Sequence, residues 1–194
     1  MLTHFIPLSV GNGQGWCVHE PGSSEPGQGR IRERFPKGAV MALFISTFIN
    51  KVDRKGRVSV PATFRAALKG QTFNGIVAFR SYRGATIEAC AIDRMEELSR
   101  SLDALDQFSA EQDALASTIF ADAHQLPIDG DGRVTLPPVL AEHAGINDAA
   151  AFVGRGATFQ IWAPDTFSRH QADARKNAAE RGATLRLVPR PKGE

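Results

Sequence analysis

Asp53-Arg54-Lys55-Gly56-Arg57-Val58-Ser59-Val60-Pro61 returns further along the chain as Asp129-Gly130-Asp131-Gly132-Arg133-Val134-Thr135-Leu136-Pro137. Asp, Gly, Arg, Val and Pro keep their places in both copies. Internal duplication outranks other signals, because a unit too small to bury its own core is completed by its copy. The expected architecture is a pseudo-dimer built within one chain.

Each position in the block has a physical task. The carboxylates of Asp53 and Asp129 can accept backbone N–H groups of the turn that follows them. Gly56 and Gly132 close that turn, where a positive φ, costly for a residue with a Cβ, suits a sharp reversal. Val58 and Val60 then alternate with Ser59, and Val134 and Leu136 with Thr135, which is the period of a half-buried strand with its hydroxyl outward. Proline brings no N–H to a ladder and suits the first turn of a helix, so strands end at Pro61 and Pro137 and short helices are expected over 62–68 and 139–144.

The likeness runs on. Gly84-Ala85-Thr86-Ile87-Glu88 answers Gly156-Ala157-Thr158-Phe159-Gln160, and Ile92-Asp93-Arg94-Met95 answers Pro164-Asp165-Thr166-Phe167. The spacing shifts by a few residues in front of these blocks, where an extended loop is expected over 79–83, since loops tolerate insertion. Each repeat spans roughly four dozen residues. The expected organisation is a first repeat over 47–94, a helical connector over 95–122, a second repeat over 123–166, and a C-terminal helix with a basic tail over 167–194. The fold class is mainly β with helices, α+β.

The pattern Asp53-x-Lys55-Gly56-Arg57-Val58-x-Val60-Pro61-x-x-Phe64-Arg65, with His143-Ala144-Gly145-Ile146, Phe152-Val153-Gly154 and Ile161-Trp162, resembles the MraZ proteins of bacteria. The resemblance covers about residues 41–181, and two linked blocks at this spacing are specific where a lone Gly-Arg-Val is not. It implies two tandem swapped-hairpin domains of the SpoVT-AbrB type forming an intrachain pseudo-dimer β-barrel. It also implies a cytoplasmic, nucleoid-associated transcriptional regulator, assembled into ring-shaped homo-oligomers. Its partner would be double-stranded DNA, at short G-rich direct repeats in the promoter of the division and cell-wall gene cluster.

Overall charge does not decide whether the residues suit DNA, because a formal net charge of +2 is only mildly basic. Distribution matters more. Between 48 and 70 lie Lys51, Arg54, Lys55, Arg57, Arg65 and Lys69 against the single acid Asp53, whereas 93–113 is dominated by Glu and Asp. Arg57 is the first choice for base readout, since arginine meets guanine O6 and N7 with two hydrogen bonds. Lys55 and Arg54 suit phosphate, and Lys51 joins them. The bland alternative for Arg57 is an ion pair with Asp53, or with an acid of the second repeat, that pins the turn. Arg133 is its equivalent, but Gly130 and Asp131 replace Arg54 and Lys55, so a structural pairing with Asp131 competes there with DNA contact. Arg65 and Lys69 read as solvated helix charges.

Other chemistries find little support. Asp129-Gly130-Asp131-Gly132 superficially resembles an acidic calcium loop, yet valine, threonine and two prolines follow where further ligands are needed. Gly154-Arg155-Gly156 lacks the rest of a dinucleotide fingerprint. His4, His19, His124, His143 and His170 have no metal-ligand spacing, and Cys17 with His19 is too sparse for zinc. Cys90 reads as a small core residue, and two cysteines imply no disulfide framework. No enzyme, cofactor, metal, membrane or small-molecule substrate is expected. The alternative function is a swapped-hairpin antitoxin-like or scaffold protein that binds another protein, although that type usually carries one repeat and a long wrapping tail.

Residues 1–40, rich in Gly, Pro and Ser, are read as a disordered extension or a mis-assigned start, with neither signal peptide nor membrane anchor. Met95, Leu98, Leu102 and Leu105 fall at helical spacing, and Ser109-x-x-Gln112 resembles a capping box, so two connecting helices are expected. Their acidic faces suit either plain solvation or the basic edge of a neighbouring subunit. Pro164 opens a further helix to about residue 181, with Phe167, His170 and Ala174 inward. The tail holding Arg186, Arg190 and Lys192 is expected to fray.

Overall fold

The structure, a computed structural model, describes residues 43–186. The extension over 1–40 and the end of the basic tail, with Arg190 and Lys192, lie outside the described residues. Each repeat contributes strand, turn, strand, short helix and two further strands. The first comprises β1 (Thr47–Lys51), β2 (Arg57–Ser59), α1 (Ala62–Ala67), β3 (Gly75–Arg80) and β4 (Ile87–Cys90). A connector follows, made of α2 (Ile92–Asp103), α3 (Ala110–Leu115) and a wide π-type turn over Ala116–Phe120. The second repeat comprises β5 (His124–Pro127), β6 (Arg133–Thr135), α4 (Pro138–Ala144), β7 (Ala149–Gly154) and β8 (Phe159–Trp162), and α5 (Pro164–Glu180) closes the fold.

The strands exchange between repeats. β1 pairs with β7 of the second repeat, and β5 pairs reciprocally with β3 of the first. β4 meets β8, and β2 meets β6, so both like-to-like pairings lie on a pseudo-two-fold axis. The six-stranded sheet therefore reads β1-β7-β8-β4-β3-β5, a palindrome in repeat terms, beside the two-stranded ribbon β2-β6. All named pairings are antiparallel.

One core serves both repeats. Val58, Val60, Phe64 and Leu68 meet Val134, Leu136, Leu140 and Ala144 within it. Phe64 is its aromatic centre, with ring centroids 5.2 Å from Phe44, 5.7 Å from Phe48 and 5.1 Å from Phe159. Full burial of such side chains contributes about 1.5–3 kcal/mol each, and neither repeat retains this burial alone. On the outer face of the sheet, Val77, Phe79, Cys90 and Met95 form a second cluster under the connector. Their register equivalents Ala151, Val153, Trp162 and Phe167 form a third under α5.

Several local expectations shift. The loop begins at Ser81, because Phe79 and Arg80 pair with β4 and extend β3. Leu105 lies beyond α2, which stops at Asp103. In α5, Phe167 packs on Trp162 and the His170 ring stacks on it at 4.8 Å, but Ala174 faces solvent. Cys90 is buried, and burial pushes its thiol up to about 12, which makes it inert as a nucleophile.

Candidate nucleic-acid interface

The two Asp-Gly-Arg turns share one backbone design. The Asp53 Oδ1 accepts the backbone N–H groups of Lys55 at 2.8 Å and Arg57 at 2.9 Å. Asp129 does the same for Asp131 at 3.0 Å and Arg133 at 2.8 Å. Gly56 and Gly132 sit at φ 74° and 77°, the left-handed region that a sharp reversal favours. Each turn is also tied to the opposite repeat, since Leu136 N–H donates to the Gly56 carbonyl and Val60 N–H to the Gly132 carbonyl, both at 2.9 Å. These bonds lengthen the β2-β6 ribbon and leave one turn at either end.

Register then decides which way the side chains face. Val58 opposes Val134, and both are buried. Side chains alternate along a strand, so Arg57, Ser59, Arg133 and Thr135 share the outer face of the ribbon. Arg57 opposes Thr135 and Arg133 opposes Ser59. The two arginines, 76 positions apart in sequence by their numbers, thereby stand diagonally across one ribbon.

Arg57 carries the ion pair that was its bland reading. Its Nε donates to Asp53 Oδ2 at 2.7 Å and its terminal nitrogen lies 2.7 Å from the same oxygen, while the side chain remains 39% exposed. The Arg57 backbone N–H and then its guanidinium hold the Asp53 carboxyl down to about 2. Arg133 makes a looser pair, 3.9 Å from Asp131. Arg54 and Lys55 project from the first turn and Lys51 from the end of β1, all exposed. The first four chosen cations are thus gathered at one end of the ribbon, and Arg133 faces outward with them.

Arg65 is exposed on α1, as a solvated helix charge should be, but sequence reasoning did not locate its head: the guanidinium lies over the second turn, where a Cβ added to Gly132 would overlap it. It puts a cation where Gly130 and Asp131 took two away. The signal was an asymmetry: the residue matching Arg65 in the second repeat is Ala141. A groove of about 310 Å³ beside the ribbon is lined by Asn50, Ser59, Thr63 and Arg65, among others, and Asn50 Nδ2 is fixed by donating to the Ser59 carbonyl at 2.8 Å. His143 joins the repeats elsewhere, its Nε2 lying 3.2 Å and 3.1 Å from the Ser81 and Gly84 carbonyls. Among the described residues no group of three or more His, Cys, Asp or Glu could hold a metal ion, and no helix is long and apolar enough to cross a membrane.

Exchanged strands, duplicated turns and a cationic ribbon define a tandem swapped-hairpin protein. Comparison with known proteins narrows the class. The family described as "MraZ protein, putative antitoxin-like" matches residues 119–187. A protein of Rickettsia akari named transcriptional regulator MraZ is 49% identical over 146 residues, which cover 75% of this chain and 98% of that one. Its namesake in Rickettsia bellii is 50% identical over 147 residues, with the same coverage of 75% and 98%. This chain belongs to the MraZ family.

Proposed function

We propose that the chain is a sequence-specific DNA-binding transcriptional regulator that offers its β2-β6 ribbon to the major groove. The observation that carries this reading is the outer face of the ribbon, where Arg57 and Arg133 stand over an inner face anchored in the core. From Gly56 to Val60 the paired ribbon is roughly 13 Å long at ~3.3 Å per residue. The major groove is about 12 Å wide and admits such a ribbon. The relatives' name, transcriptional regulator, supports the same reading.

Arg57 is the base reader, bidentate to guanine O6 and N7, and its ion pair with Asp53 keeps the guanidinium ordered before DNA arrives, which lowers the ordering cost of binding. Arg54, Lys55 and Lys51 contact phosphate. The operator is a set of short G-rich direct repeats in the promoter of the division and cell-wall cluster. A ring-shaped homo-oligomer, nucleoid-associated in the cytoplasm, presents several ribbons to these repeats at once. No catalytic step belongs to this reading.

A titration of the full chain and Arg57→Ala against that promoter and a scrambled duplex, at fixed salt, tests it. Promoter preference should disappear in the variant, since each bidentate arginine–guanine pair supplies about 1–3 kcal/mol of discrimination. Unchanged preference would refute the role of Arg57. The family's description favours a second reading, an antitoxin-like or scaffold protein that binds another protein. Equal weak binding of the wild type to both duplexes would favour it.

A further inference from the structure

The pseudo-two-fold axis passes between β4 and β8, where Glu88 opposes Gln160, its own counterpart in the other repeat. The two are joined. Gln160 Nε2 donates to Glu88 Oε1 at 2.7 Å, and Ser81 Oγ donates to the same oxygen at 3.1 Å. Gln160 Oε1 in turn accepts from Trp162 Nε1 at 3.0 Å and from the Arg155 guanidinium at 2.9 Å. This network is the floor of a cavity of about 760 Å³ on the outer face of the sheet, a size within the ~300–1,000 Å³ range of small-molecule sites.

Two observations set the cavity apart. Ser81, Thr86 and Gln160 are the buried polar side chains among the described residues, and all three line it. Burying polar groups is costly unless they are bonded, so their concentration under one cleft is informative. The second observation concerns the rim. The β3–β4 and β7–β8 loops bring in Arg83 and Arg155, equivalent positions 72 apart by number, and α5 adds Arg169. Among the described residues none of these three guanidiniums is in an ion pair. Arg83 lies over the Tyr82 ring at 5.4 Å, and Arg169 reaches only Thr166 Oγ1, at 3.5 Å. Glu88 and Asp173 also line the cavity, so three guanidiniums meet two carboxylates and a positive excess remains.

The lining divides by chemistry. Guanidinium forks at the rim suit an oxyanion such as phosphate. The floor suits hydrogen-bond donors instead. Glu88 would repel an anion there, and its Oε2 is used by neither of the bonds above. Thr86 Oγ1 donates to the Ile161 carbonyl at 3.0 Å and keeps its lone pairs for an incoming hydroxyl. A ligand that fits both parts has an anionic end and a hydroxylated body, and the volume exceeds what a bare phosphate fills.

We infer that this cavity binds a phosphorylated sugar, free or carried by a nucleotide, with its phosphate on Arg83, Arg155 and Arg169 and its hydroxyls on Glu88 and the floor. Such a ligand touches both repeats and α5. The β2-β6 ribbon packs on the opposite face of the sheet, so the site is separate from the proposed DNA contact.

Isothermal titration calorimetry of the full chain tests it, with glucose, inorganic phosphate, glucose 6-phosphate and UDP-glucose as probes. Glucose 6-phosphate or UDP-glucose should bind saturably and more tightly than inorganic phosphate or glucose, and the tighter of the two tells a free sugar phosphate from a nucleotide-borne one. Arg83→Ala and Arg169→Ala, both at exposed positions, should each weaken that binding about tenfold, the value of one charge-assisted hydrogen bond. Glu88→Gln should weaken it too but strengthen inorganic phosphate, since it removes an acceptor and a negative charge together. No saturable binding of either organic phosphate, or binding that both arginine variants leave unchanged, would overturn the assignment. Inorganic phosphate binding as tightly as the organic phosphates would also overturn it, by reducing the site to an anion hole. The DNA reading is scored separately by the Arg57→Ala titration.

Discussion

The turns at 53–57 and 129–133 have the same hydrogen bonds and the same left-handed glycine, and they end the same ribbon, but their surroundings differ. The first carries its own cations, Arg54, Lys55 and an Arg57 clamped to Asp53. The second lacks two of them, pairs Arg133 loosely with Asp131, and receives Arg65 from the other repeat. Duplication preserved what the backbone needs and released what the surface displays. Turn geometry is under a folding constraint in both copies, whereas charge at the tip affects only what the tip meets.

The inequality extends into the core, where the largest effect is expected. Phe64 on α1 is surrounded by four phenylalanine rings, and its equivalent on α4 is Leu140. Phe64→Ala should cost about 3–5 kcal/mol in urea unfolding, and Leu140→Ala less, within the ~2–5 kcal/mol range of such truncations. Equal costs would show that the repeats share the core evenly. At the turns, Gly56→Ala and Gly132→Ala should each cost about 1–2 kcal/mol from the left-handed backbone alone. A Cβ at Gly56 would lie 3.1 Å from the fixed Leu136 carbonyl, whereas one at Gly132 meets a side chain that can move. Combining Gly132→Ala with Arg65→Ala should therefore show coupling, and strict additivity would detach Arg65 from the second turn.

Smaller effects test the surface. Lys55→Ala should flatten the salt dependence of DNA binding by about one phosphate contact, and Asp131→Lys should steepen it by about as much. An unmoved slope for Asp131→Lys would place the second turn away from the backbone of the duplex. The gentlest probe is pH. Asp53 titrates from about 2 in the folded chain against an ordinary 3.8, so the stability it lends is complete above 3.8 and lost as pH falls through about 2. Carboxyl NMR of Arg57→Ala should show that midpoint rising only part of the way, since the backbone N–H of residue 57 remains the first cause.

Much of this was legible in the residues. The period of Val58-Ser59-Val60 and its copy located β2 and β6, the prolines located the starts of α1 and α4, and Asp-x-x-Gly located the turns. Of the candidate site, Lys51, Arg54, Lys55 and Arg57 formed one cluster because they are neighbours in sequence. Arg65 is solvated as expected, but its place over the second turn was not legible, because that turn is 67 positions away by number, at Gly132.

The sequence by itself determined the duplicated unit, its turns, the places of α1 and α4 after their prolines, and the segregation of basic turn from acidic connector, because these depend on local φ/ψ preference and short-range periodicity. Only the tertiary structure decided that β1 pairs with β7 and β5 with β3, that Arg57 and Arg133 share one face, and that Arg65 crosses to the other repeat. A strand's pattern states that it has a buried face and an open ladder, but any antiparallel partner of matching register satisfies both. The choice among partners is made by the whole core at once, where Phe64 and its neighbours can be enclosed only if the repeats exchange strands.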